Sequence, residues 1–281
     1  MIINCNSVPI DLSQGHAMGV LNITPDSFYD GGKFTEIEKV LTQTKRMLDE
    51  GATFIDIGGA SSRPGSNPVS PKEEIERVIP AILAILKNFP KAVISIDTTS
   101  SVVAEKAIES GAAVVNDISA GTIDKQMLET VASLGVPYIA MHMQGTPKTM
   151  QNNPTYQNVV SDVFIALERF CNRATQLGIR QLILDPGFGF GKSLSHNYQL
   201  LNQFEKFHSL GCPLLVGVSR KSMIQQIVDV DAENALNGTT VIHTIAVQKG
   251  ASILRVHDVK EAVQVFQLVN YLNQQESTPT T

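Results

Sequence analysis

Eight short apolar runs recur along the chain, each ending on a residue able to bind or react: Asn22, Asp56, Asp97, Asn116 with Asp117, His142, Asp185, Ser219 with Arg220 and Lys221, and Arg255 with His257. Parallel strands covered on both faces read as near-continuous Val, Ile and Leu, and ligands gather beyond their carboxyl ends. The pattern predicts strands near 17–22, 53–57, 92–97, 113–116, 136–142, 181–185, 213–218 and 252–257, each followed by a segment of helical periodicity. Glycines stand where helices must stop, at Gly51, Gly111, Gly135, Gly178, Gly211 and Gly250. Helix starts are marked too. Ser70-Pro71-Lys72-Glu73 sets a cap, an N1 proline and a capping-box glutamate in order, and Asp258-Val259-Lys260-Glu261 repeats the logic.

Eight βα units predict a single α/β domain over residues 1–273, a (β/α)8 TIM barrel, with an open doubly wound sheet as the alternative. The loops after the first two strands, residues 24–33 and 58–70, are long and rich in Gly, Pro, Ser and Asp, as binding lids or disordered segments are. After Asn273 the chain turns polar, and residues 274–281 are expected to be disordered.

Composition narrows the partners. The chain has 281 residues, 43% of them hydrophobic, enough for a large core without metal or disulfide staples. Cys5, Cys171 and Cys212 are scattered without ligand spacing, which suits reduced thiols in a cytoplasmic protein. The N-terminus reads as no signal peptide, and no apolar stretch is long enough for a membrane span. Net charge of −5 argues against nucleic acid, so an anionic substrate must be drawn by a local basic cluster.

That cluster lies at the last two strand ends, in Ser219-Arg220-Lys221-Ser222 and in Arg255 with His257, where barrels often bind phosphate. Asp97, Asn116 and Asp185 end apolar strands, where a buried carboxylate needs donors. A flat heterocycle with adjacent N–H groups supplies them; pairing with Lys221 and Arg255 is the alternative, and both can hold in turn. Gly187-Phe188-Gly189-Phe190-Gly191-Lys192-Ser193 tempts a nucleotide-loop reading, but Gly187 stands one residue too close to Gly191-Lys192-Ser193. The oxygen-rich run from Asn22 through Thr24, Asp26 and Asp30 suits magnesium. His142 has no evident partner, and His16, His196, His208 and His243 fall outside the rim. Met141 and Met143 read as packing, with Met141 near the mouth.

Seven motifs in order resemble bacterial dihydropteroate synthase: Gly19-Val20-Leu21-Asn22-Ile23-Thr24-Pro25-Asp26-Ser27-Phe28, Asp56-Ile57-Gly58-Gly59 with Ser62-Arg63-Pro64-Gly65, Ser95-Ile96-Asp97, Asn116-Asp117, Asp185-Pro186-Gly187, Ser219-Arg220-Lys221-Ser222 and Arg255-Val256-His257-Asp258. The resemblance implies a barrel that joins para-aminobenzoate to 6-hydroxymethyl-7,8-dihydropterin diphosphate. It implies that Asp97, Asn116, Asp185 and Lys221 hold the pterin edge, with Arg255 on the ring, and that Met141, Phe190 and Gly217 also line the substrate site. Asn22 would bind magnesium and diphosphate. Arg63, Arg255 and His257 would receive diphosphate oxygens, Ser62 and Ser222 would hold substrate, Phe28 and Pro64 would flank para-aminobenzoate, and Asp30 would steady the first loop. Catalysis would rest on Asp97, Asp185, Lys221, Arg255 and His257 acting through charge, with no side-chain nucleophile. A homodimer is implied as well, and the apolar stretch Val241-Ile242-His243-Thr244-Ile245-Ala246-Val247 fits either that dimer or a buried helix.

Two loop positions depart from the family pattern: Ala60 replaces a usual glutamate and Ser62 a usual threonine, while Tyr29 is larger than the residue usually found there. Three other readings compete. They are a methyltetrahydrofolate-binding methyltransferase, a Schiff-base aldolase using Lys221, and a non-catalytic pterin-binding relative.

Overall fold

The chain opens with a hairpin that the hydrophobic pattern does not announce. Strands β1 (Ile2–Cys5) and β2 (Val8–Asp11) pair antiparallel, Ile2 opposite Asp11 and Cys5 opposite Val8. Asn6 and Ser7 between them both take positive φ, 50° and 68°, the two-residue turn that matches strand twist. Each strand is only four residues long, too short for alternation to stand out. In the computed structural model, which describes residues 1–23, 33–60, 69–150 and 153–276, this hairpin closes the amino-terminal end of a barrel. Ile3, Cys5, Ile10 and Leu12 pack against Met18, Phe54, Ile139 and Ile253 from the barrel strands.

Eight parallel strands form that barrel: β3 (His16–Asn22), β4 (Phe54–Gly58), β5 (Val93–Asp97), β6 (Val114–Asp117), β7 (Tyr138–Met141), β8 (Leu182–Asp185), β9 (Leu215–Val216) and β10 (Ile253–Val256). Their order, β8-β7-β6-β5-β4-β3-β10-β9, has no reversal, so the open doubly wound alternative falls. A single bridge, Leu184 to Leu214, with Leu184 N donating to Pro213 O at 2.9 Å, closes the ring between β8 and β9. The strand expected over 213–218 shrinks to Leu215–Val216 in the ladder; Pro213 at its start has no N–H to give.

Nine helices alternate with these strands among the described residues: α1 (Lys33–Asp49), α2 (Pro71–Asn88), α3 (Ser101–Glu109), α4 (Met127–Leu134), α5 (Val159–Gln176), α6 (Leu194–Asn202), α7 (Ser222–Val228), α8 (Leu236–Gln248) and α9 (Val259–Glu276). The six glycines expected at helix stops all have positive φ, including Gly135 at 67° directly after α4. Ser70 caps α2 as expected, its hydroxyl accepting from Glu73 N at 3.2 Å. The reciprocal half of the capping box is replaced, because the Glu73 carboxylate pairs with Arg77 one turn on. Asp258 departs further: its carboxylate takes Arg220 rather than serving the start of α9.

The boundary expected at Asn273 lies inside α9, which runs on to Glu276. Gln and Glu are good helix formers, and a polar run extends a helix end without needing a core. Residues 24–32, 61–68 and 277–281 lie outside the described residues, and with them Thr24, Asp26, Phe28, Tyr29, Asp30, Ser62, Arg63, Pro64 and the rest of the tail expected to be disordered.

Candidate active site

Arg255 organises the carboxyl end of the barrel. From β10 its Nε donates to Asp56 Oδ2 on β4 at 2.6 Å, and its Nη2 donates to Asp97 Oδ2 on β5 at 2.7 Å. Asn116 on β6 donates its Nδ2 to the same Asp56 oxygen at 3.0 Å. The four side chains come from four strands because each stands at or near a strand end in the parallel register, Gly58 beside Asp97 and Asp97 beside Asn116. Burial pushes the Asp97 carboxyl up to about 7; Arg255 pulls it down, and the charge of Asp56 adds to the rise. Burial alone would lower the affinity of Arg255 for its proton, but the flanking carboxylates reverse this and hold it above its ordinary value. The pairing of acids with Arg255, expected as the alternative to ligand donors, is thus present.

Beside this network opens a small pocket of about 40 Å3. Asn116, Met141, Asp185, Phe190, Gly217, Lys221, Arg255 and His257 line it, all of them expected, as does Ser219 from the expected rim, and Val20 and Ile118 join them. The period of two along β3 places Val20 on the face of Asn22, a signal that was present in the sequence. Asp185, at the end of β8, is buried and held above the ordinary carboxylate range by desolvation, against the pull of Lys221. Its Oδ1 accepts from Gly187 N at 2.7 Å. Its Oδ2 turns toward Gly217, where a Cβ would lie 3.9 Å from that oxygen and 4.0 Å from Lys221 Nζ. The missing side chain at Gly217 therefore leaves room for a ligand between a carboxylate and an ammonium.

Lys221 donates to Phe188 O at 2.6 Å and sits 4.5 Å from the centre of the Phe190 ring. Burial pushes its ammonium down to about 8, although Asp185 opposes the fall. The turn it touches has a tight backbone: Gly187 has φ of 76°, and a Cβ there would meet His142 O at 1.9 Å. The glycines of this segment serve that close packing, in agreement with rejecting a nucleotide loop.

Three rim residues do other work. Asp117 alternates with Asn116 and points away from the mouth, accepting from Tyr138 Oη, Ser119 N, Ser119 Oγ and Gly121 N, each at 2.7 Å. Arg220, expected within the basic cluster, binds Asp258 through Nε at 2.7 Å and Nη2 at 2.9 Å and donates Nη1 to Ala232 O and Glu233 O. Its charge is thus already matched at the side of the barrel, and it leaves the anion-binding set. His142, expected without a partner, has Lys192 Nζ 3.1 Å from its Nδ1, and burial pushes its ring down to about 3.

His257 is exposed beside the pocket, with its Nδ1 3.0 Å from Ser219 Oγ. Ser222 is exposed at the start of α7. Asn22 is exposed at the tip of β3, and a Cβ on Gly58 would lie 3.5 Å from its Oδ1 and 3.6 Å from Asp97 Oδ2. Two oxygens thus converge above Gly58. Among the described residues no group of three or more His, Cys, Asp or Glu could enclose a metal. An amide oxygen at the mouth does suit a magnesium ion that draws most of its ligands from phosphate and water.

The family model described as pterin binding enzyme matches residues 18–257. The dihydropteroate synthase of Haemophilus influenzae is 47% identical over 261 residues, covering 92% of this chain and 94% of its own length. That of Escherichia coli K12 is 46% identical over 262 residues, covering 92% of each. Among solved structures, a Yersinia pestis dihydropteroate synthase in a sulfonamide drug complex matches with a TM-score of 0.91 at 42% identity, covering 98% of this chain and 100% of its own. A Xanthomonas albilineans dihydropteroate synthase in complex with 7,8-dihydropteroate matches with a TM-score of 0.87 at 35% identity, covering 97% and 99%.

Proposed function

The chain belongs to the pterin binding enzyme family, and we propose that its mouth carries out the dihydropteroate synthase reaction, joining para-aminobenzoate to (7,8-dihydropterin-6-yl)methyl diphosphate. The methylene–oxygen bond to diphosphate breaks, a carbon–nitrogen bond to the arylamine forms, and the amine gives up one proton. The observation that carries this reading is Asp185 Oδ2 turned toward Gly217, with Lys221 across the gap and Asn116 and Arg255 beside it. A flat ring whose edge bears adjacent N–H groups satisfies that carboxylate, while Lys221 and the Asn116 amide meet its acceptors. The methyltransferase and aldolase readings lack support from relatives such as those of Haemophilus influenzae and Escherichia coli, which are named as synthases.

The residues act through charge. Asp97 and Asp185 favour an electron-poor pterin as the methylene loses its leaving group, and Arg255 and His257 offer positive charge or hydrogen bonds to the departing diphosphate. His257 is steadied for this by Ser219. Asn22 would hold magnesium together with diphosphate oxygens; when bound, the ion supplies charge neutralisation for the leaving group. Ser222, exposed next to Lys221, would take the para-aminobenzoate carboxylate. Phe28, Asp30, Ser62, Arg63 and Pro64 complete the proposal as loop contacts to the second substrate and diphosphate. A sulfonamide would compete for the para-aminobenzoate position.

Two broader expectations belong to the same reading. A homodimer is supported by apolar side chains left exposed on α8 and α9, Val241, Leu268, Tyr271 and Leu272. A cytoplasmic setting is supported by Cys171 and Cys212, which stay thiols although they lie close enough to hydrogen-bond. Supplying both substrates with magnesium and following diphosphate release tests the reaction. Release that depends on para-aminobenzoate is expected, and its absence would leave a pterin-binding protein without synthase activity.

A further inference from the structure

Lys192 takes no part in the mouth, yet it is 3% exposed and its ammonium is ringed by acceptors. Nζ lies 3.1 Å from His142 Nδ1, 3.3 Å from His142 O and 3.0 Å from Phe190 O. An ammonium beside Nδ1 makes that nitrogen the acceptor and leaves the ring proton on Nε2, the neutral form that burial also favours. A buried cation is costly unless its hydrogen bonds are met, so these three bonds are a strong local constraint. They join the segment after β7 to the turn after β8.

That turn carries Phe190 into the mouth, and a second ammonium holds its other side. Lys221 donates to Phe188 O at 2.6 Å and lies 4.5 Å from the centre of the Phe190 ring. The Phe190 wall is therefore fixed at its backbone by Lys192 and at its ring face by Lys221. The charged or titratable groups facing Lys192 among the described residues are His142 at the end of β7, Asp185 at the end of β8, and Lys221 ahead of α7. Asp185 is the one of opposite sign: it opposes the burial that pushes the Lys192 ammonium down to about 7, and below that pH the positive charge of Lys192 favours the ionised carboxylate.

We propose that Lys192 is a positioning residue for the pterin half of the reaction: it fastens the Phe190 turn to the end of β7 and adds its charge to those facing Asp185. This rests on the synthase reading above, and the wild-type protein separates the two. Absence of diphosphate release dependent on para-aminobenzoate in the wild type overturns both.

With that activity in hand, Lys192→Met, close in length and without charge, is compared with the wild type after circular dichroism has confirmed its fold. The KM for the pterin diphosphate rises about tenfold or more while that for para-aminobenzoate stays unchanged. The acid limb of kcat/KM for the pterin substrate also moves to higher pH, because Asp185 has lost a cation that favoured its charge. A folded variant with the wild-type pterin KM and the wild-type acid limb overturns the proposal, as does a loss shared by both substrates with no movement of the limb. Should Lys192→Met fail to fold, Lys192→Gln retains a donor for Phe190 O without the charge. Its acid limb must still move upward, and an unmoved limb overturns the proposal.

Discussion

Replacing Asp56 by Asn removes a charge from the centre of the network with little change of shape. Asp56 is fully buried, and its Oδ2 accepts both Arg255 Nε at 2.6 Å and Asn116 Nδ2 at 3.0 Å. Its Oδ1 has no hydrogen-bond partner among the described residues. An asparagine keeps the two bonds only by placing its oxygen where Oδ2 stands, which leaves its NH2 in the partnerless position. The stability loss combines a weakened charge-assisted bond with an unsatisfied buried donor, about 2 kcal/mol after allowing for the retained pairing of Arg255 with Asp97. For 281 residues the unfolding entropy is roughly 0.6 kcal/mol per kelvin, so Tm should fall by about 3 °C in scanning calorimetry.

The same change should extend pterin binding toward acid. The charge of Asp56 is one of the causes that raise Asp97, so its removal lets Asp97 ionise at lower pH. Titration calorimetry with the pterin substrate from pH 5 to 9 reads that limb. A variant as stable as the wild type, or an acid limb displaced upward, would refute the reasoning.

In the wild type, pterin binding that needs Asp97 and Asp185 as carboxylates strengthens with rising pH, for Asp97 through about 7, and binding that needs Lys221 as ammonium weakens as pH rises through about 8. A bell centred between those limbs is expected in kcat/KM, and a profile flat from pH 6 to 9 would contradict both assignments. Gly217→Ala meets nothing closer than 3.8 Å, so Tm should hold while the methyl group fills the ligand gap and raises the pterin KM about tenfold. Unchanged KM in that variant would move the ring elsewhere. Lys221→Ala and His257→Ala should each lower turnover about a hundredfold in the diphosphate-release assay, the size expected for an electrostatic group acting in the transition state. Near-normal turnover in both would remove those roles.

Strand ends could be read from the chain because buried parallel strands leave polar residues only where the run stops, and Asp97, Asn116 and Asp185 stand there. Partnership could not be read. Arg255 lies 199 residues from Asp56 and 158 from Asp97, and only barrel closure puts them together. Asp117 was separable from Asn116 in principle, since neighbours on a strand face opposite sides. Arg220 was not, because its partner Asp258 looks like a helix cap in sequence. Lys192 carries no distinguishing signal in one sequence: a lysine after a glycine-rich turn usually faces water, and its 3% exposure follows from how two loops meet. The opening hairpin was missed for its shortness, although Asn6-Ser7 is the kind of pair its turn requires.

The ring of strands is fastened between β8 and β9 by one bridge, Leu184 to Leu214. Elsewhere neighbouring strands share a ladder, so amide hydrogens along this seam should exchange sooner than those of β3 or β4. Asp185 follows Leu184 on one lip, and Gly217 and Lys221 stand on the other. A ring gripped across that gap is therefore a rung the backbone omits, and its arrival should slow exchange along both lips of the seam.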